Sequence, residues 1–331
     1  MKKKIIASFV FFLIIGINVK AFAHVKWFNV SDPVKVPLEE IITPAFMISA
    51  MITAIILAIL SQATPYLMKF PFAKKLDKRL ESFKKWIPFI LRYGLALALL
   101  IQILNLSILA PDVQLNSTMK WIGILTMIML AIPYHLATKI ASLLILILFG
   151  LSVAQLGWFS MLDYGFYLAI AYALFTMNTK WKDTGTPALY LGTGLSLSWV
   201  AVEKWVFPGM STGIVEHYQL PTFGFSPEMF VMLAAYIEFV VGYLLVVGIL
   251  NRLLALVVTL LFILTTSVFG GVEVAGHFIV HIILIIFIIE GVGYYKPPID
   301  YHKRRIDKLI FVVFNFIFVL ATMIMIYYRF A

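Results

Sequence analysis

The stretch AGHFIVHIILIIFIIEG, residues Ala275–Gly291, decides the class of this protein. Apart from His277, His281 and Glu290 it holds only apolar side chains and glycine. Coiled at 1.5 Å per residue, such a run is about 26 Å long, close to the roughly 30 Å hydrocarbon thickness of a bilayer. Nine more apolar segments lie along the chain: Pro44–Ala63, Pro88–Ala110, Lys120–His135, Lys139–Trp158, Met161–Met177, Pro187–Val206, Glu228–Leu250, Leu253–Gly270 and Leu309–Tyr328. Turn and basic residues cluster between them, at Pro71–Trp86, Pro111–Thr118, Asn178–Thr186, Phe207–Pro227 and Lys296–Lys308.

Composition agrees. Of 331 residues 62% are hydrophobic and 13% charged, against about 45–50% and about 25% in a soluble domain. A soluble enzyme, a disordered chain and a disulfide-rich module are excluded. The expected fold is all-α: a polytopic integral membrane bundle of about ten transmembrane helices. With no cysteine, thiol catalysis, thiolate metal sites and iron–sulfur clusters are excluded as well.

At the N-terminus, Lys2, Lys3 and Lys4 precede an apolar run from Ile5 to Val19, and Ala21-Phe22-Ala23 has the small-x-small form of a cleavage site. Residues 1–23 are therefore expected to be a cleaved signal peptide, with His24 opening an extracytoplasmic segment, 24–43. Alternation from that start places 20 of the 26 lysines and arginines on the cytoplasmic side, as the positive-inside rule requires. The net charge of +10 thus orients the chain in a bacterial-type plasma membrane and does not point to nucleic acid. Residues 69–86, KFPFAKKLDKRLESFKKW, read as a solvated inside loop or as an amphipathic helix on anionic lipid; the solvated loop is the simpler reading.

The chain divides into a first membrane half, 44–177, a second unit, 187–291, and a basic loop with the last helix, 292–331. MLDYGFYLAI at 161–170 resembles AGHFIVHIIL at 275–284, which hints at two parallel four-helix repeats. Within the second unit, Gly192-Thr-Gly-Leu-Ser-Leu-Ser-Trp-Val-Ala-Val-Glu-Lys204 resembles the first helix of the DoxX membrane family, with small residues leading to a lysine. Ile237-Glu-Phe-Val-Val-Gly-Tyr-Leu-Leu-Val-Val-Gly248 is similar to that family's second helix, and Gly276-His277 stands where its fourth helix often has a polar residue. The arginine that usually opens the first helix is absent; Tyr190 and Leu191 stand near there. The resemblance implies a four-helix membrane unit and, for some members, a link to quinone-coupled oxidation of sulfur compounds.

Ionisable groups inside a membrane are costly and point to function. Most of those here fall toward the extracytoplasmic side. Lys204 is expected to pair with Glu238 or Glu273, whereas its neighbour Glu203 points about 100° away on the helix. As catalytic groups, Lys204 and Glu238 would pass protons or hold an anionic or quinone headgroup, with Glu203 and Glu273 lining the cofactor. Glu273, His277 and His281 share one helix face at i, i+4 and i+8, so the two histidines could ligate a metal or simply bond neighbouring helices. His24, if N-terminal, offers an amine and an imidazole to copper, with His217, His277 or His281 as a second donor. Three functions remain open: a redox component using quinone, haem or copper, with an extracytoplasmic or membrane partner subunit; a copper- or metal-handling transporter; or a non-catalytic scaffold whose polar groups are interhelical glue.

Overall fold

The computed structural model describes residues 25–28, 32–67, 71–249, 251–291 and 304–331. The leader, His24 and its cleavage site lie outside the described residues. The order of elements is α1 (Val25–Phe28), α2 (Leu38–Ile41), α3 (Pro44–Leu67), α4 (Pro71–Glu81), α5 (Ile87–Leu104), the strands β1 (Ser107–Ile108) and β2 (Ala110–Gln114), α6 (Ser117–Ala131), α7 (His135–Leu156) and α8 (Trp158–Met161). There follow α9 (Phe166–Thr176), α10 (Gly185–Val206), α11 (Pro208–His217), α12 (Pro227–Val247), α13 (Asn251–Phe269), α14 (Gly271–Glu290) and α15 (Arg305–Phe330).

Each of the ten apolar segments is helical, with local reasons for its ends. Asn116 caps α6 by accepting from Met119 N at 2.9 Å. Ser226 caps α12 just ahead of Pro227, and Gly248 closes that helix in the left-handed conformation. The expected span Pro88–Ala110 stops at Leu104, however, because the chain turns into the antiparallel β1–β2 hairpin. There the Gln102 side chain accepts from Leu109 N at 2.9 Å and donates to Tyr167 at 2.9 Å. Met161–Met177 is bent by 62° between the Trp158–Tyr164 and Phe166–Thr176 pieces. The Phe207–Pro227 break contains a helix, α11.

Six helices among the described residues are long and apolar enough to cross a membrane, and seven if the bent pair forms one span. The expectation of about ten is reduced for physical reasons. α6 is short, with 15 residues, and the described apolar part of α13 covers only Arg252–Ile263. α10 carries Thr193, Ser196, Ser198, Glu203 and Lys204.

The surface is that of a membrane bundle. Met47, Ile48, Met51, Ile52, Ile55, Ile56 and Ile59 form an exposed stripe on α3, and Phe314 and Phe318 stand out from α15 at about 70% exposure. In water such a continuous apolar face would be a liability; in lipid it is the required surface. Inside, α5, α6, α7 and α9 pack in sequence, as do α10, α12, α13 and α14. The two groups meet where α9 packs on α10 and α14 on α5, while α3 pairs with α15. The closest crossing is α10 on α12. There a Cβ built on Gly194 would lie 2.5 Å from Gly242 O, and one on Gly242 would lie 2.6 Å from Gly194 O. Only glycine permits that approach.

Polar contacts define two ends. At one end, α4 is tied to the bundle by Arg252–Asp77 and Lys84–Glu290 ion pairs, and Tyr190 donates to Gly291 O at 2.9 Å. At the other lie the hairpin, α8, α11 and an N-terminal strap comprising α1 and residues 32–37. The strap is held by Val36 N to Val206 O at 3.1 Å and Lys35 Nζ to Tyr328 O at 2.7 Å.

Candidate functional site

The buried ionisable groups gather at the hairpin end. Asp163 lies in the 3-10 turn Leu162–Tyr164 ahead of α9, Glu203 and Lys204 near the end of α10, and Glu273 and His277 in the first turns of α14. All five are at most 8% exposed.

Two ion-paired nodes result. Lys204 pairs with Glu238 on α12; the alternative partner, Glu273, is instead beside His277. Glu203 points elsewhere, as adjacency on a helix demands. The strap lysine Lys26 stands 2.5 Å from Asp163 and 3.1 Å from Glu203, so one cation bridges two carboxylates. Burial alone would lower the Lys26 pKa, but Asp163 and Glu203 outweigh that and hold it above the ordinary 10.5. Tyr327 donates to Glu203 at 3.3 Å, and Tyr164 donates to Asp112 of β2 at 2.8 Å. Burial pushes the Asp112 carboxyl up, while the Tyr164 hydrogen bond pulls it partly back.

Trp27 closes the node. Its Nε1 donates to Tyr164 at 2.8 Å, and its ring lies 4.8 Å from the His277 ring. A Cβ at Gly276 would run into the indole, so glycine there makes room for the strap. On its other side His277 stacks on Phe262, with ring centres 4.2 Å apart at 12°. His277 Nδ1 is 3.0 Å from Glu273 Oε1, within ion-pair reach without hydrogen-bond geometry. His281 meets Phe262 edge-on at 5.9 Å. His217 is exposed on α11 against Tyr218. Among the described residues no three His, Asp or Glu side chains form a group that could hold a metal.

Beside the Lys204–Glu238 pair is an apolar groove of about 340 Å³. Phe223, Phe225, Phe230, Ile237, Phe262 and other apolar residues line it, and Lys204 and Glu238 are its charged lining groups. It opens sideways, since Ile237 is 61% and Phe223 64% exposed.

The sequence alone gives Trp27, with Phe28, an aromatic-belt seat at the interface, but it singles out no role for the strap lysine Lys26 or for Asp112, Tyr164 and Tyr327. Their partners are distant in the chain, 137 residues in the case of Lys26 and Asp163. The one signal was compositional: a lone lysine and an adjacent tryptophan in a short segment before a span.

The fold is thus that of a multi-pass helical membrane protein with a charged site at one end of the bundle. A model of the DoxX family matches residues 191–271, which run from α10 to the start of α14 and include Lys204 and Glu238. That part of the chain, 81 of 331 residues, is thus DoxX-like. No curated protein and no solved structure matches it.

Proposed function

We propose that this DoxX-like protein is a redox-linked membrane component that binds the head of an isoprenoid quinone between Lys204 and Glu238. The observation that carries the reading is the apolar groove of about 340 Å³ with one ion pair in its lining. Ligand sites commonly have this form, mostly apolar with a few placed polar groups, in volumes of roughly 300–1,000 Å³. The quinone would supply two-electron, two-proton chemistry when bound. The residues would do the rest. Lys204 Nζ donates to a head oxygen, Glu238 accepts from a hydroxyl, and the phenylalanines exclude water and hold the chain. Glu203 and Glu273 shape the charge around that site.

The parallel duplication is part of the proposal. In both four-helix groups the helices pack in the same sequence, and the fourth helix of each packs on the first helix of the other. Orientation is proposed likewise. Lys75, Lys78, Arg79, Lys84, Lys85, Arg252, Arg304, Arg305 and Lys308 lie at or near the α4 end, which favours a cytoplasmic α4 end and an extracytoplasmic hairpin end. An extracytoplasmic or membrane subunit would then be the electron partner.

The test is titration of purified protein with a short-chain quinone, read by tryptophan fluorescence quenching. Saturable binding is expected, weakened at least tenfold by Lys204→Met. Absence of saturable binding overturns the reading. The scaffold alternative is favoured by one observation: Lys26 bridges Asp163 and Glu203 as glue between the strap and two helical elements. Metal handling by His24, His217, His277 and His281 would need donors beyond the described residues.

A further inference from the structure

Two cavities meet at Glu238. One is the lateral groove. The other, about 40 Å³, lies on the hairpin side; its wall is mostly apolar, and Asp163, Tyr164, Thr193, Ser196, Glu238 and His277 bring polar groups to it. Both are walled by Leu197, Glu238 and Phe262, so one carboxylate faces both spaces.

The small cavity is suited to water. Its volume suffices for up to about three molecules at roughly 10–15 Å³ each. Thr193 is 1% exposed, and its Oγ1 has no hydrogen-bond partner among the described residues. A buried hydroxyl at a cavity of this size, with several other polar groups around it, calls for water. Beyond it the polar groups continue to the bundle end: Asp163 to Lys26, which is 19% exposed, and Tyr164 to Asp112. Toward the α4 end the next polar groups among the described residues, Ser198, Tyr243 and Asn315, line a separate cavity of about 210 Å³ that shares no wall with these two. One turn below Glu238 the Gly194–Gly242 crossing leaves no room even for a methyl group, and Phe239, Leu244 and Leu245 are buried and apolar.

We propose that Glu238 exchanges protons with the hairpin-end compartment alone, through water in the small cavity and then Asp163 and Tyr164. The titratable groups around this route are Glu203 and Lys204 on α10, Glu273, His277 and His281 on α14, Asp163 and Tyr164 ahead of α9, Lys26 on α1 and Asp112 on β2. α13 contributes Phe262 there. The inference rests on the groove reading for its purpose, since a headgroup that takes or releases protons needs an outlet, but its test does not require a quinone.

Dicyclohexylcarbodiimide is an apolar reagent that adds to a protonated carboxyl, so its labelling of Glu238, read by peptide mass spectrometry, reports protonation. Oriented proteoliposomes would be held with acidic or alkaline buffer independently on each side. Labelling is expected to rise several-fold when the hairpin-end side is acidified and to ignore the α4-end side. Labelling that follows the α4 end, follows both sides equally, or is absent at every pH overturns the proposal. Thr193→Leu, which fills the cavity and removes the hydroxyl, should abolish the response, whereas Thr193→Ser, which keeps both the hydroxyl and the space, should keep most of it. A response undiminished in Thr193→Leu overturns the cavity route. If a short-chain quinone neither binds nor protects Glu238 while sidedness holds, the quinone reading falls and the proton route stands.

Discussion

Replacing Lys26 by methionine removes a cation that bridges Asp163 and Glu203. At 2.5 Å and 3.1 Å, and with an effective dielectric constant of about 20, the two attractions are worth roughly 7 and 5 kcal/mol. Most of that is offset by desolvation of three charged groups and by repulsion between the carboxylates. The variant, however, keeps the cost of burying both carboxylates and loses the compensation, so breaking the node should cost about 3–5 kcal/mol. At about 2 °C per kcal/mol for a domain of this order, the melting temperature should fall by about 6 °C or more. Intrinsic tryptophan fluorescence is the natural assay, because the chain has seven tryptophans and no cysteine for thiol dyes. Asp163→Asn removes one carboxylate, so Lys26→Met/Asp163→Asn should lose less than the two single losses added together. A Lys26→Met protein melting within about 1 °C of wild type, under 0.5 kcal/mol, would refute the account of the strap as an electrostatic lock. Strict additivity in the cycle would do the same.

Three further outcomes can be checked in the same assay. Gly242→Ala forces a methyl group to within about 2.5 Å of Ser198 Oγ and Gly194 O and should destabilise by about 1–3 kcal/mol; a neutral effect would show that α10 and α12 separate freely. Trp27→Phe keeps a ring over His277 but loses the bond to Tyr164, for a loss of about 1 kcal/mol, and a larger loss would mean that the indole is needed for packing. Asp112 has its folded pKa raised above 3.8, so its contribution is full below that value and declines as pH rises through the folded value. Asp112→Asn should therefore be at least as stable as wild type near neutrality, and should flatten the acid side of the stability profile; an unchanged profile would count against the burial effect.

How much could be read beforehand follows from the range of the forces involved. Hydropathy acts over a single helix, so all ten apolar segments emerged as helices. The Lys204–Glu238 pair was accessible because the helices are neighbours in the chain and each charge needs an opposite partner within the membrane. The hairpin was not. Leu106, just before β1, and Leu109, at its turn, stand at φ 57° and 62°, with leucine rather than glycine or asparagine at both, so neither position signals a turn; the Gln102 amide fixes the hairpin from outside. Adjacency on α10 does show that Glu203 and Lys204 face different partners, but not that the partner of Glu203 is a lysine on the strap. The bend before α9 was hidden because Asp163 and Tyr164 sit inside an otherwise apolar run.

The Lys26 bridge also has a consequence in time. Asp163 and Glu203 are made 137 and 177 residues after Lys26. At about 5–20 residues per second, the second partner arrives roughly 10–35 s after the lysine. Until then the strap lacks its complete seat. The first described part of the fold to be synthesised is thus among the last to be secured, and a protease or modifying enzyme acting on it during synthesis would meet a substrate that the finished protein withdraws.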